Sequence, residues 1–259
     1  MKAVKIENMP ELPYAVEEAL NRLRVNITFL GTDVRKIMVI STTPDEGKSF
    51  VAIQLWRQLA DTGISSVLLD ADMRKSVMAD KYKLTLENEG SLKGTSHYLS
   101  GSYPLEDAIY HTQFEKGDIL PNTDNVVNPS RLLESSRFAQ MLDQMAEKYR
   151  YVLVDSAPLD LVSDGERIGS LCDGALLVVR AGTTPKGIVK KSVQQLERAG
   201  CPLLGIILNR VENYTGGYYN KRYGSRYYGK RYYGYGKRYY GYGKQYYGYG
   251  NEYYKKSKS

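Results

Sequence analysis

A short apolar strand, Lys36–Ile40, runs directly into Ser41-Thr42-Thr43-Pro44-Asp45-Glu46-Gly47-Lys48-Ser49, and a helical pattern starts at Gly47 and continues to Asp61 with Val51, Leu55 and Leu59 on one side. Strand, loop and helix in immediate succession form half of a crossover unit, and such units assemble parallel sheets. The loop ends in Gly-Lys-Ser. In a loop of this kind the backbone N–H groups and the helix N-terminus cradle phosphate oxygens. Lys48 would reach the β- and γ-phosphates, and the Ser49 hydroxyl would ligate Mg²⁺. Thr42 stands where the general pattern places its first Gly.

The rest of the first 210 residues repeats this alternation. Pro13–Leu30 reads as a helix, with Val16, Leu20, Leu23 and Ile27 at helical spacing and Gly31 as its stop. Further strands are expected at Ser66–Leu69, Tyr151–Val154, Ala175–Val179 and Leu203–Leu208. One long helix is expected from Asn128–Pro129 to about Lys148, and another over Lys186–Ala199. The stretch from Lys75 to about Asp118 is rich in Gly, Ser and Thr and carries no clear period. Strands apolar on both faces, separated by helices, indicate a doubly wound α/β domain with a mostly parallel sheet of the P-loop NTPase type. The expected division is an N-terminal helical segment over 1–35, a nucleotide-binding domain over 36–210, and a tail over 211–259.

Two more segments place carboxylates just past apolar strands, where a parallel sheet binds ligands. Val67-Leu68-Leu69-Asp70-Ala71-Asp72-Met73-Arg74 sets two carboxylates two residues apart, and Val152-Leu153-Val154-Asp155-Ser156-Ala157-Pro158 sets one at a strand end. Any one of the three motifs alone is compatible with a solvated turn. All three, in this order on alternating strands, form a nucleotide site.

From Tyr214 to Tyr254 the chain carries 17 tyrosines among Gly, Lys and Arg, with pairs recurring every seven residues at Tyr232, Tyr239, Tyr246 and Tyr253. Gly within each unit and the lack of an aliphatic seam exclude a coiled coil. With little aliphatic surface to bury, the segment is expected to be disordered. The net charge of +7 divides unevenly: residues 211–259 hold 11 Lys and Arg against 2 Asp and Glu, or +9, which leaves −2 for residues 1–210. Aromatic residues interleaved with cations also occur in binders of single-stranded nucleic acid, and Gly/Tyr tracts can self-associate, so a binding module is a competing reading of the tail.

Together these features resemble the bacterial tyrosine kinases, which carry a P-loop ending in Gly-Lys-Ser/Thr, a second motif apolar₃-D-x-D-x-R, a third apolar₃-D-x-x-P, and a terminal tyrosine cluster. The matching residues are Gly47-Lys48-Ser49, Asp70/Asp72/Arg74, Asp155/Pro158 and the tail. Asn128-Pro129-Ser130-Arg131-Leu132-Leu133-Glu134-Ser135 and Gly205–Asn209 also look like the family. No kinase-type HRD or DFG motif is present, which fits this resemblance.

The resemblance implies an ATP- and Mg²⁺-dependent enzyme that phosphorylates tyrosines of its own tail. Lys48, Asp70, Asp72 and Asp155 would be catalytic, with Asp70 the candidate for taking the tyrosyl proton and Asp72 its rival. Ser49, Asp72 and Asp155 would serve the metal. Thr43, Pro44, Asp45, Glu46, Gly47, Lys48, Ser49 and Phe50 would line the nucleotide, together with Arg74 and Asn209. Arg74 could instead brace Asp72, and Asn209 could be a plain turn residue. The expected acceptors are Tyr227, Tyr228, Tyr232, Tyr233, Tyr235, Tyr239, Tyr240, Tyr242, Tyr246, Tyr247, Tyr249, Tyr253 and Tyr254.

The family's E-x-x-R-x-x-R assembly pattern maps to Glu18, Asn21 and Arg24, with Arg22 beside the missing middle Arg. A homo-oligomer through these residues, a ring in form, is the expectation, and an intrahelical Glu18–Arg22 pair is the plain alternative. The resemblance also implies a role in making or exporting capsule or other exopolysaccharide. A transmembrane adaptor of the polysaccharide co-polymerase type and a phosphotyrosine phosphatase would be partners, with no nucleic acid partner expected. No apolar run nears the roughly 18–20 residues of a membrane span and no signal-peptide core is present, so the expected location is cytoplasmic, recruited to the inner membrane face. A partitioning or cell-division ATPase of the same superfamily is the runner-up. Such proteins carry a signature lysine where this chain has Thr43. Cys172 and Cys201 are expected to be buried and reduced, Trp56 partly buried, and neither His97 nor His111 invites a functional role.

Overall fold

The structure, a computed structural model, describes residues 2–87, 89–124 and 126–211. In chain order the elements are β1 (Lys2–Ile6), α1 (Tyr14–Thr28), β2 (Lys36–Ser41), α2 (Lys48–Asp61), β3 (Ser66–Asp70), α3 (Met78–Lys81), β4 (Leu84–Leu86), α4 (Thr95–Leu99), α5 (Leu105–Ala108), β5 (Tyr110–His111), β6 (Gly117–Leu120), α6 (Ser130–Leu133), α7 (Ser136–Lys148), β7 (Tyr151–Asp155), α8 (Asp164–Gly169), β8 (Gly174–Arg180), α9 (Lys186–Arg198) and β9 (Leu203–Asn209). The expected tail disorder and all the tail tyrosines lie outside the described residues.

Among the described residues, nine strands form one sheet in the order β4-β1-β5-β6-β3-β7-β2-β8-β9. Only the β1/β4 and β5/β6 pairs are antiparallel. The run β6-β3-β7-β2-β8-β9 is parallel throughout. Side chains alternate across its strands and bury both faces of the inner ones, while β9 at the edge leaves Ile206 and Leu208 exposed. Met38, Ile40, Val67, Leu69, Val152 and Val154 face Phe138, Met141 and Met145 of α7, Ile168 of α8 and Leu196 of α9. Ile37, Val39, Leu68, Leu153 and Val178 face Val51, Leu55, Trp56 and Leu59 of α2, with Ile27 of α1 in the same cluster. The expected α/β doubly wound architecture is thus the one observed.

Each of the five expected strands forms, and each continues one residue further at its C-terminal end, to Ser41, Asp70, Asp155, Arg180 or Asn209. Ladder pairing holds these ends: Val39 lies opposite Asp155, and Asp155 opposite Asp70. The sheet therefore sets the backbone of several polar residues that the sequence places just beyond it.

Other elements differ from expectation. The long helix expected up to Lys148 is two, α6 and α7, because Ser135 is extended (φ −66°, ψ 150°) and its hydroxyl donates to the carbonyl of Leu132 at 2.6 Å. A serine that bonds nearby backbone competes with helix continuation. The unassigned middle holds three short helices and two strands before β6 begins, and β1 joins the sheet beside them. Trp56 is fully buried, packed edge-to-face on Phe114 with ring centroids 5.5 Å apart. Gly117 is the close neighbour that makes room for it, since a Cβ there would lie 2.7 Å from the indole. Cys172 and Cys201 are free and buried, and burial raises both thiol pKa values, that of Cys201 to about 11. Among the described residues no helix is long and apolar enough to cross a membrane.

Candidate active site

The loop between β2 and α2 is shaped by its backbone. Asp45 and Gly47 both have positive φ, 61° and 96°. At Gly47 two constraints coincide: the left-handed conformation, and a Cβ that would lie 2.1 Å from Nδ2 of Asn209. That Nδ2 donates to the carbonyl of Glu46 at 2.8 Å, so the last strand pins the loop. Thr42, at the general pattern's glycine position, is not among the positive-φ residues, and its carbonyl accepts the N–H of Asp160 at 3.1 Å. A β-branched residue fits there without strain.

Glu46, expected at the nucleotide, has its side chain turned inward instead. The carboxylate is buried, accepting the N–H of Thr43 at 2.8 Å, the N–H of Arg180 at 3.2 Å, and the hydroxyl of Thr184. Three donors inside the fold outweigh exposure of the charge. Glu46 and Asn209 therefore brace the phosphate loop through their side chains. The ring of Phe50 packs against the apolar cluster beneath α2. Lys48, Ser49 and Phe50 open α2, which begins from Gly47 with no side-chain cap. The first N–H groups of a helix lack intrahelical partners, and these are turned to the loop.

Lys48 crosses to the carboxylates. Its Nζ lies 3.1 Å from Oδ2 of Asp72, 3.9 Å from Oδ1 of Asp155 and 3.4 Å from the Ser49 hydroxyl. Asp70, Asp72 and Asp155 are all buried. Asp70 accepts the N–H of Asp72 at 3.1 Å on one oxygen and the Ser76 hydroxyl at 2.5 Å on the other. Burial, with Asp155 and Asp72 alongside, raises its pKa well above the usual carboxylate range, against the pull of Ser76 and Lys48. Burial also raises the pKa of Asp155, opposed by Lys48 and by the neighbouring Ser49 hydroxyl. Asp72 accepts the N–H of Lys75 at 3.2 Å on its second oxygen.

Oδ1 of Asp155 is buried without a hydrogen-bond partner, beside the Ser49 hydroxyl. A carboxylate oxygen that accepts no hydrogen bond, with Lys48 3.9 Å away and a hydroxyl beside it at the mouth of a phosphate loop, is a donor set that fits Mg²⁺. Among the described residues no group of three or more His, Cys, Asp or Glu could hold a metal. Magnesium does not require one, since it binds through one or two carboxylates plus water and phosphate oxygens.

Arg74 forms a bidentate pair with Asp164, with Nε at 2.6 Å and Nη2 at 3.0 Å from the two oxygens. The Ser130 hydroxyl joins them, donating to Asp164 at 3.0 Å and accepting from Arg74 at 3.0 Å. Neither Asp164 nor Ser76 is singled out by the sequence, and Ser130 enters only as part of a family-like stretch. Their signal is weak because isolated Ser and Asp residues are common at turns and helix starts. In α1, Glu18 and Arg24 are half-buried and Arg22 is exposed. Arg24 donates to Asn21 at 2.7 Å, the residue standing in place of the missing arginine.

A sequence profile of the CobQ/CobB/MinD/ParA nucleotide binding domain matches residues 37–234. The tyrosine-protein kinase CpsD of Streptococcus agalactiae is 37% identical over 202 residues, which span 78% of this chain and 86% of that protein. The kinase domain of the Escherichia coli tyrosine kinase ETK superposes with a TM-score of 0.70 at 30% identity, covering 82% of this chain and 86% of that one. The septum site-determining protein MinD of Pyrococcus horikoshii OT3, solved with Mg-ADP, has a TM-score of 0.57 at 24% identity over 69% of this chain and 72% of that one, a likeness of fold alone.

Proposed function

The chain belongs to the bacterial tyrosine kinases built on the CobQ/CobB/MinD/ParA nucleotide-binding domain and is a tyrosine-protein kinase; on that premise we propose that it transfers the γ-phosphoryl group of ATP to tyrosines of its own 212–259 segment. The observation that carries this reading is the convergence of Lys48 with Asp72 and Asp155, 3.1 and 3.9 Å away, at the opening of the phosphate loop. Phosphoryl transfer depends mainly on positioning and charge neutralisation, and these are the groups for both.

In this reading the loop N–H groups and Lys48 hold the β- and γ-phosphates, and Lys48 exchanges its carboxylate contacts for phosphate oxygens. Ser49 and Asp155 would hold Mg²⁺, with Asp72 nearby, and the ion would neutralise phosphate charge. The acceptor phenol oxygen forms a bond to the γ-phosphorus while the bond to the β,γ-bridging oxygen breaks, releasing ADP. Asp70 takes the phenolic proton, a role supported by its raised proton affinity and by the fixing of both its oxygens. Arg74, held by Asp164 and Ser130, keeps the Asp70–Ser76 turn in place.

The wider assignment is also proposed. The protein would act on the cytoplasmic face of the membrane with a transmembrane adaptor and be reset by a phosphotyrosine phosphatase. It would associate with itself through Glu18, Arg22 and Arg24 and regulate capsule or exopolysaccharide production. Mass spectrometry after incubation with Mg-ATP tests the core of the reading. Phosphotyrosine should accumulate on Tyr227–Tyr254 of the wild type and be absent from a Lys48→Met variant of unchanged thermal stability. Equal phosphotyrosine in both proteins, prepared free of other kinases, would refute it.

A further inference from the structure

An open groove of about 360 Å³ lies away from the phosphate loop, between residues 9–12, the first turns of α1 and the far end of α2. Met9, Pro10, Leu12 and Phe114 give it an apolar surface, and Glu11 and Glu17 stand at it with Arg57. The charge of Arg57 is already shared, since its Nε lies 3.3 Å from Asp61 and its guanidinium sits 5.8 Å above the Phe114 ring. The acidic side chains have no such neighbours in sequence. Neither Glu11 nor Glu17 has a Lys or Arg three or four positions away, whereas Glu18 has Arg22. Below Met9, Gln54 is buried, with Nε2 3.4 Å from the Met9 sulfur and Oε1 lacking a hydrogen-bond partner.

An aromatic floor with carboxylates beside it is complementary to tyrosine flanked by lysine and arginine. Residues 212–259 of this chain have that composition, with 11 Lys and Arg and 17 Tyr, in units that repeat every seven residues. We propose that the groove is a docking site, separate from the site of phosphoryl transfer, for unphosphorylated Tyr-Lys/Arg units of the 212–259 segment. The proposal rests on the reading of that segment as the kinase's substrate. A tyrosine ring packs on Met9, Pro10 and Leu12 beside the Arg57-covered ring of Phe114, while neighbouring cations meet Glu11 and Glu17.

The repeat length suits this arrangement. Arg57 lies nine residues past Lys48 on one helix, about 14 Å at 1.5 Å per residue. An extended seven-residue unit spans roughly 23 Å. One unit in the groove therefore leaves its neighbour long enough to reach the phosphate loop, and the local concentration of acceptor rises without any new contact at the catalytic carboxylates. Phosphorylation reverses the complementarity, because each phosphate brings about −1.5 to −2 charge to a groove edged by carboxylates. Modified units leave and unmodified ones replace them.

The test uses the full chain carrying Lys48→Met, so that the tail stays bare, with a photo-crosslinking residue in place of Leu12. Crosslinks are expected to peptides from residues 212–259, and to disappear once the tail has been phosphorylated by wild-type protein. Glu11→Gln with Glu17→Gln should raise KM several-fold for a synthetic tail peptide, with kcat, the KM for ATP and the KM for a non-basic tyrosine peptide unchanged. Crosslinks confined to residues 2–211 of either copy, or a KM for the tail peptide that ignores the double substitution, would overturn the docking site. Failure of the kinase reading shows differently: wild-type protein yields no phosphotyrosine, whatever the crosslinks do.

Discussion

The side-chain nitrogen of Asn209 lies 2.1 Å from the place a Cβ on residue 47 would occupy, and it bonds the carbonyl of the residue before. The last strand of the sheet thus sets the form of a loop that follows its second strand. Asn209 and Gly47 are one device: the glycine leaves space, and the amide fills it.

Gly47→Ala is expected to lower nucleotide affinity at least tenfold, since a left-handed alanine costs roughly 1–2 kcal/mol before the clash is counted. Asn209→Ala, which removes one hydrogen bond of about 0.5–1.5 kcal/mol, should cost only a few-fold. The two should not add. With Asn209 truncated, the alanine at 47 meets no amide, so the double variant should bind more tightly than the product of the single effects. Titration with a fluorescent nucleotide measures all three, and strict additivity would show that the contact is not the constraint.

Asp164 holds Arg74 with two short contacts and is itself buried, whereas Arg74 is partly open. Removing the carboxylate takes from Arg74 its bidentate acceptor and leaves it the Ser130 hydroxyl among its contacts. Asp164→Ala should destabilise the protein by about 3 kcal/mol. Asp164→Asn keeps one acceptor and should cost less. If Arg74 steadies the turn bearing Asp70 and Asp72, Asp164→Asn should reduce kcat more than it raises the KM for ATP, and steady-state kinetics separates the two.

Asp70 links stability to pH. Burial and two neighbouring carboxylates raise its folded-state pKa above the unfolded value of about 3.9. A carboxyl shifted in this direction contributes its full stabilisation below the unfolded pKa, and that contribution is lost as pH rises through the folded value. Asp70→Asn keeps the shape and has no charge to bury. Its melting temperature relative to wild type should therefore rise as pH increases from about 4 through the folded pKa, while its kinase activity is lost. A difference in melting temperature that is flat across that range would mean that Asp70 carries no such penalty.

Transfer between chains is a further expectation, prompted by the self-association proposed for Glu18, Arg22 and Arg24 of α1. Lys48→Met protein with an intact tail, mixed with active protein truncated after residue 211, should acquire phosphotyrosine at a rate that grows with concentration. Labelling of the wild type that is independent of concentration, with no labelling of the mixture, would place transfer within one chain.

Much of the site was legible because its chemistry is local. Gly47, Lys48 and Ser49 are contiguous, and Asp70, Asp72 and Asp155 follow apolar runs closely enough that strand direction alone delivers them to one edge of the sheet. The braces were not legible. Glu46 and Asn209 look like ligand groups in a turn, and Asp164 and Ser76 look like ordinary polar residues, because a short polar side chain at a turn reads alike whether it faces a ligand or the protein. The split between α6 and α7 turned on the extended backbone of a single residue, Ser135, within a pattern that was otherwise helical.

Taken alone, the sequence of this protein determined the alternation of strand and helix, the phosphate loop, the three carboxylates and the charge of the tail. Each depends on residues within a few positions of one another, where periodicity, glycine and turn chemistry act directly. Only the tertiary structure decided which polar groups point inward. Arg74 meets Asp164 across 90 residues, and Asn209 meets Glu46 across 163. Strand order creates those meetings by placing β2 between β7 and β8, and a buried polar group then turns toward whichever partner the fold brings near.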